Sequence, residues 1–355
     1  MDRAVIRSER QGGEDALRVL CFLAIVVLHA NAAGSFDHVP LTGFVADELS
    51  RFAVPCFFLL SSYHWKSLDA GPLTKRLIDR VGPAFLFWLI VYNLAAYCGF
   101  LDPKLKGDLP SPTWLLTGGA GYHLWFLPAL VMGAVIVALF HRRGRAFALR
   151  ATASLLVVGI LVGAYGSWLF GGSTPHILFR NGLLFSPFFL MMGVVLKDGW
   201  ASRTSVSVLA LSATAFAGLQ VAEGLLTGRF PLGHDFGFAT AGFALSVTLL
   251  ALRWKGHSAV LAALGKASFG AYLVHALLMA GAMRTPLAQR PLMLILGVAA
   301  GSLIVSLACQ PLLARLGWPG SREHPLRTRG AGETAPIAGP EAMAADGLDT
   351  SATKL

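Results

Sequence analysis

Arg18-Val-Leu-Cys-Phe-Leu-Ala-Ile-Val-Val-Leu-His29 is the stretch that decides how this chain is read. Ten apolar residues in a row, Val19–Leu28, lie between its two polar ends. Eleven positions separate Arg18 from His29. At about 100° per residue that is three helical turns, so both side chains fall on one face, about 16 Å apart along the axis. A cation and a titratable imidazole on one face of a membrane helix are costly to place there and by default mark function. A plainer reading stands beside this one: Arg18 as a basic anchor snorkelling to the cytoplasmic interface, and His29 as a polar residue at the far interface.

The rest of the chain supplies the membrane. Of its 355 residues, 55% are hydrophobic and only 14% charged, with a mean hydropathy of +0.63. A soluble domain averages roughly 25% charged residues. The composition therefore predicts an all-α, polytopic membrane helix bundle. Apolar windows place spans near 17–34, 45–63, 81–100, 123–140, 151–170, 180–196, 204–226, 236–253, 268–285 and 291–313, about ten in all at ~20 residues each. Pro55 and Pro187 fall inside the second and sixth spans, where each is expected to free a backbone carbonyl and kink the helix.

The formal charge of +10 does not point to nucleic acid, because the basic residues alternate between loops. With the N-terminus cytoplasmic, the inside segments hold Arg3, Arg7, Arg10, Lys75, Arg76, Arg80, Arg142, Arg143, Arg145 and others. The outside segments hold few, among them Arg51, Lys104, Arg180 and Arg229. The bias is roughly three to one and predicts that both the N- and C-termini are cytoplasmic. The expected division is a cytoplasmic segment 1–16, a transmembrane domain 17–315, and a disordered cytoplasmic tail 316–355 rich in Gly, Ala, Pro and Glu. Arg3, Arg7 and Arg10 before a short apolar run, with Ala30-Asn31-Ala32 after it, also match a cleavable signal peptide. Cleavage there would discard both Arg18 and His29. The four cysteines, Cys21, Cys56, Cys98 and Cys309, lie in apolar segments without metal or CxxC spacing and read as small hydrophobes.

Three further polar clusters sit on these spans. Ser61, Ser62 and Tyr63 end the second span near the cytoplasmic side, as helix–helix glue or as ligand contacts. Tyr122-His-Leu-Trp-Phe-Leu127 opens the fourth at the outer side. Tyr122 and Trp125 suit an aromatic belt, whereas His123 could bind a sugar hydroxyl with Trp125 stacked on the sugar face. Arg180 and Asn181 open the sixth span at the same side, as an interfacial anchor or a binding pair. In Gly265-Lys-Ala-Ser-Phe-Gly-Ala-Tyr-Leu-Val-His275, Ser268, Tyr272 and His275 are spaced i, i+4, i+7 and share a helix face. Ser268 is also a candidate N-cap. No Walker loop, G-x-S-x-G elbow, H-E-x-x-H or zinc spacing occurs, so no metal is expected. His64-Trp-Lys-Ser-Leu-Asp69 matches an H-x4-D acyltransferase pattern that belongs to proteins of another architecture.

In this order, Arg18–His29, Val54-Pro-Cys-Phe-Phe-Leu-Leu-Ser-Ser-Tyr63, Tyr122–Leu127 and Leu264–His275 resemble the acyltransferase 3 family of bacterial inner-membrane O-acyltransferases, over about residues 15–315. The resemblance implies transfer of an acyl group, acetyl above all, from cytoplasmic acyl-CoA to a hydroxyl of a surface carbohydrate or its lipid-linked precursor. It implies no tightly bound cofactor and a multi-pass location in the inner membrane. Arg18 and His29 match the family's essential pair. One departure is Ser62, where the family usually has glycine.

On this reading His29 is the general base that deprotonates the acceptor hydroxyl, and Arg18 holds coenzyme A phosphates or its pantetheine arm. Asp37, Asp47 and Glu48 in the first outer loop are candidate carboxylate partners for His29. Two rivals remain at this point: a transporter or flippase for a lipid-linked sugar or acyl intermediate, and a catalytically inactive family member in polysaccharide export. The sequence leaves the oligomeric state open, a homo-oligomer included.

Overall fold

The computed structural model describes residues 12–101, 112–171, 180–228, 230–231, 233 and 235–315. The expected tail, 316–355, and residues 1–11 lie outside the described residues. Every regular element described is helical. The chain runs α1 (Gly12–Ala32), α2 (Pro40–Ser50), α3 (Ala53–Tyr63), α4 (Ala70–Tyr97), α5 (Pro112–Thr117), α6 (Phe126–His141), α7 (Arg145–Val162), α8 (Gly166–Phe170), α9 (Ser186–Lys197), α10 (Val206–Leu226), α11 (Phe238–Arg253), α12 (Ala259–Ala282) and α13 (Pro291–Arg315). A 3-10 turn, Tyr122–Trp125, leads into α6.

Seven of these helices are long and apolar enough to cross a membrane: α1, α4, α6 with its 3-10 lead-in, α7, α10, α12 and α13. The other expected spans are helical but shorter. The second is split into α2 and α3 at Arg51–Phe52, while α9 and α11 have 12 and 16 residues. Proline explains two of these differences. Pro55 sits in the first turn of α3 and Pro187 near the start of α9, where a missing N–H has no intrahelical partner to lose. Each proline opens a helix instead of kinking one. At α12 the sequence reading placed the start too late. The helix begins at Ala259, nine residues before Ser268, and Ser258 is its N-cap, accepting from the Leu261 N–H at 3.3 Å.

The helix α1 is central, packed against α2, α3, α11, α12 and α13. Half of the apolar window of α12 is buried inside the protein but only 17% of that of α10, so α10 lies at the lipid-facing periphery. The segment α2–α3 runs antiparallel to α1 and is tied to it at both ends. Asn31 donates to Asp47 at 3.3 Å at one end, and His64 Nε2 meets the Glu14 carboxylate at 2.7 Å at the other. Within Ala30-Asn31-Ala32, Ala30 is fully buried, Asn31 is half-buried with its side chain on Gly43, and Ala32 is exposed.

Helices in lipid gain little from apolar contact alone and associate through small residues and close packing. Here glycine faces serine at three contacts: Gly133 and Ser186 between α6 and α9, Gly193 and Ser62 between α9 and α3, and Gly270 and Ser306 between α12 and α13. A methyl group on Gly193 would sit 2.1 Å from Ser62 Oγ and 2.3 Å from the Leu59 carbonyl oxygen. Glycine at 193 therefore allows the close approach of α9 to α3 at Ser62.

Candidate functional site

Because α1 is unbroken from Gly12 to Ala32, Arg18 and His29 do share a face, and each meets a different polar cluster. At the His29 end the partner is an imidazole, not a carboxylate. His29 Nδ1 and His275 Nε2 are 2.6 Å apart. Their ring centroids are 4.8 Å apart with planes 9° apart, so the rings lie edge to edge in nearly one plane rather than face to face.

The protons in this chain are fixed by its far end. His275 Nδ1 lies 2.5 Å from the Tyr272 carbonyl oxygen. A carbonyl only accepts, so that nitrogen carries the hydrogen. In neutral His275, Nε2 is then a bare lone pair and accepts from His29 Nδ1–H. Neutral His29 is therefore left with its lone pair on Nε2, the form a general base requires. Asp47 and Glu48 are engaged elsewhere: Asp47 with Arg51 and Asn31, Glu48 with Gln220. His29 is half-buried, His275 fully so.

Around this pair stand Tyr122 and His123 of the 3-10 turn, with ring centroids 4.9 and 6.1 Å from that of His29. The Tyr272 hydroxyl donates to the His123 backbone carbonyl, and the Tyr92 hydroxyl donates to the Leu273 carbonyl at 2.8 Å. These bonds lock the 3-10 turn and α4 onto α12. The His123 imidazole is 2% exposed, and neither ring nitrogen has a hydrogen-bond partner. An unpaired buried polar group costs about 1–3 kcal/mol. Despite three imidazoles so close together, no metal-holding group of His, Cys, Asp or Glu occurs among the described residues. Three of the four nitrogens of His29 and His275 are already committed to each other or to backbone.

Beyond Asn31 lies a charge-balanced platform. Arg51 Nε donates to Asp47 at 2.6 Å. Arg180 Nε donates to both Asp235 oxygens at 3.0 and 2.9 Å, and Arg51 Nη1 reaches Asp235 at 3.4 Å. Arg180 also lies over the Phe236 ring. Asn181 accepts from the Leu183 and Leu184 backbone N–H groups at 2.8 Å. Arg180 and Asn181 thus lie on the chain leading to α9, five residues or more before its first turn, and do not open the span as expected. Trp125 is half-buried against Phe58 and Phe185.

At the other end Arg18 is held by two carboxylates of its own helix. It donates to Asp15 at 2.8 Å and to Glu14 at 3.1 Å, and those residues are 1% and 4% exposed. Ser61, Ser62 and Tyr63 lie at this end too, beside His64. Ser61 bonds the Phe57 carbonyl at 2.7 Å, and Ser62 bonds those of Phe58 and Leu59 at 3.2 Å each. Both hydroxyls are satisfied within their own helix. Ser268 likewise bonds Leu264 at 2.9 Å. The structure therefore gathers His29, Tyr122, His123, Tyr272 and His275 at one end of α1 and Arg18 with Ser61–Tyr63 at the other. Glu14, Asp15, Asp235 and Tyr92 did not stand out in the sequence. The i+3 and i+4 spacing of Arg18 from Asp15 and Glu14 was readable there; the approach of Asp235 to Arg180 was not.

Residues 13–310, most of the chain and all the elements just described, match the family described as Acyltransferase domain. The chain belongs to the acyltransferase 3 family. Among curated proteins it is 26% identical over 295 residues to a serine/alanine racemase of Enterococcus gallinarum, covering 76% of this chain and 41% of that protein. It is 23% identical over 274 residues to an amino-acid racemase of Enterococcus faecalis, covering 69% and 38%. The chain thus spans less than half the length of these relatives. No solved structure matches it.

Proposed function

We propose that this multi-pass membrane acyltransferase moves an acyl group, acetyl above all, from acyl-CoA to a hydroxyl of a cell-surface carbohydrate or its lipid-linked precursor in the inner membrane. The observation that carries this reading is the oriented imidazole pair. His29 Nε2 takes the proton of the acceptor hydroxyl as its oxygen attacks the thioester carbonyl carbon. The tetrahedral intermediate collapses, the C–S bond breaks, and the coenzyme A sulfur leaves with the proton returned by His29. His275 accepts from His29 Nδ1–H, which fixes the tautomer and steadies the imidazolium while it carries the extra proton.

Arg18, about 16 Å along the same face, suits the phosphate-bearing end of the donor, with the pantetheine arm bridging the distance. The platform of Asn31, Asp47, Arg51, Arg180 and Asp235 is rich in donors and acceptors and nearly neutral, which suits a polyol acceptor. The test is release of free thiol from acetyl-CoA by purified protein in lipid, together with NMR of surface-polysaccharide acetylation in a deletion strain and its parent. Thiol release that persists unchanged in His29→Ala overturns the role of His29, and wild-type protein that consumes no acetyl-CoA overturns the reading.

A second reading rests on the names of the relatives. The acceptor is then the hydroxyl or amine of a small amino acid such as serine, or that amino acid is cargo. Labelled serine separates the two, because acetylserine forms only if it is an acceptor.

A further inference from the structure

We propose that His123 is a second catalytic imidazole, whose N–H binds the acyl carbonyl oxygen of the donor and the oxyanion that develops there. This rests on the acyl-transfer reading above. His123 is the one buried side chain among the described residues left with ring nitrogens unpaired. Its buried polar neighbours are committed elsewhere. The Tyr272 hydroxyl is spent on the backbone of His123 itself, the Tyr92 hydroxyl on the Leu273 carbonyl, and His275 on the Tyr272 carbonyl and His29. The Leu273 carbonyl faces His123 but already receives Tyr92 and, within α12, its own helical N–H.

The imidazole is nevertheless held in place. The rings of Tyr92 and Tyr272 press on it at 4.9 and 5.3 Å between centroids, and the bond from Tyr272 pins its main chain. Just before it, Gly121 packs so tightly against Leu124 and Tyr92 that a methyl group would clash at 2.7 and 3.0 Å. A preorganised donor with no partner at rest is what an oxyanion site needs. The carbonyl oxygen offers only lone pairs, so it requires an N–H. A second base beside His29 would be redundant.

The spacing suits the reaction. The His29 and His123 ring centroids are 6.1 Å apart, so both imidazoles border the same point, one placed to take the acceptor proton and the other to meet the carbonyl oxygen. Tyr122, 41% exposed and in ring contact with both histidines, is the side chain an incoming acyl group must displace.

Two coenzyme A analogues test this directly: acetonyl-CoA, which keeps the carbonyl, and S-ethyl-CoA, which lacks it. Wild-type protein should bind the ketone at least tenfold more tightly, His123→Leu should bind both equally, and His123→Gln should keep most of the difference. The kcat for thiol release should fall about 10²–10³-fold in His123→Leu, and KM for acetyl-CoA should rise by about the factor lost in ketone binding. Melting in detergent should not fall, since a group unpaired in the resting protein is being removed. If His123→Leu retains the preference for the ketone, or loses affinity for both analogues equally, the role of His123 is overturned while the acyl-transfer reading stands. If wild-type protein binds neither analogue, both fail.

Discussion

His29 and His275 lie 246 positions apart in sequence and meet nitrogen to nitrogen at 2.6 Å in nearly one plane. Catalytic imidazoles are often oriented by a carboxylate; here a second imidazole, itself oriented by a backbone carbonyl, holds the first. The arrangement keeps the buried centre neutral at rest. A carboxylate in the same place would need desolvating, at a cost of several kcal/mol in a membrane interior.

From this pairing, His275→Leu should lower kcat for thiol release about 10–100-fold, with KM for acetyl-CoA within about twofold. His275→Gln, whose amide oxygen can accept from His29 Nδ1–H, should recover much of the loss. If Leu and Gln variants behave alike, His275 fills space and does not set the tautomer of His29.

The serine–glycine contact between α3 and α9 gives a stability prediction. Gly193→Ala forces a methyl group to 2.1 Å from Ser62 Oγ and 2.3 Å from backbone, and should destabilise by about 1–3 kcal/mol. Ser62→Gly, which restores the family's usual residue, should change stability by about 1 kcal/mol or less and leave thiol release unaltered. Thermal melts in detergent and the same activity assay check both. A Ser62→Gly variant with raised activity would show that the departure at this position weakens the enzyme.

The charge-balanced platform separates a buried pair from an exposed one. Asp235, 8% exposed, serves both Arg51, 8% exposed, and Arg180, whose side chain is 31% exposed. Asp235→Ala leaves Arg51 paired with Asp47 but removes a buried carboxylate shared by two guanidinium groups, and should cost about 1–3 kcal/mol. Arg180→Ala should cost about 1 kcal/mol or less, because its partner keeps Arg51 and solvent screens the lost pair. Melting temperatures of the two variants compared side by side check the order, and equal losses would contradict it.

What the sequence revealed and what it hid divide along physical lines. Helix periodicity is local, so the shared face of Arg18 and His29, and the stripe of Ser268, Tyr272 and His275, were readable from spacing alone. The pairing of His29 with His275, and of Arg180 with Asp235, depends on which helices pack together, and composition carries no trace of that. Breaks were the harder local feature. Pro55 and Pro187 announced a disturbance, but proline is tolerated both as a mid-helix kink and at a helix start, and only packing chose the second. Ser258 and Ser268 are equivalent caps by residue type; Gly265 and Lys266 just before Ser268 disguised a helix that had already begun. Asp47 and Glu48 were plausible partners on proximity, yet Arg51 and Gln220 satisfy them more fully than a neutral imidazole would.

Arg18 supplies the last prediction, because its surroundings conflict with a simple phosphate-binding role. Its guanidinium already bonds Asp15 and Glu14, both buried, and Glu14 is shared with His64. Arg18→Ala therefore removes the cation from two desolvated carboxylates and should destabilise the protein by about 3 kcal/mol or more. Loss of activity in that variant would say nothing of donor binding. Glu14→Gln with Asp15→Asn removes the stranded charge, so adding Arg18→Ala to that pair should cost much less in melting temperature. If Arg18 holds the donor, the triple variant melts near the double variant but binds acetyl-CoA at least tenfold more weakly. The double variant, with its guanidinium released from competing carboxylates, binds acetyl-CoA as well as wild type or better. Equal affinity in double and triple variants would make Arg18 a structural cation that stitches the first turns of α1, and would move the donor phosphates to other basic residues at that end of the bundle.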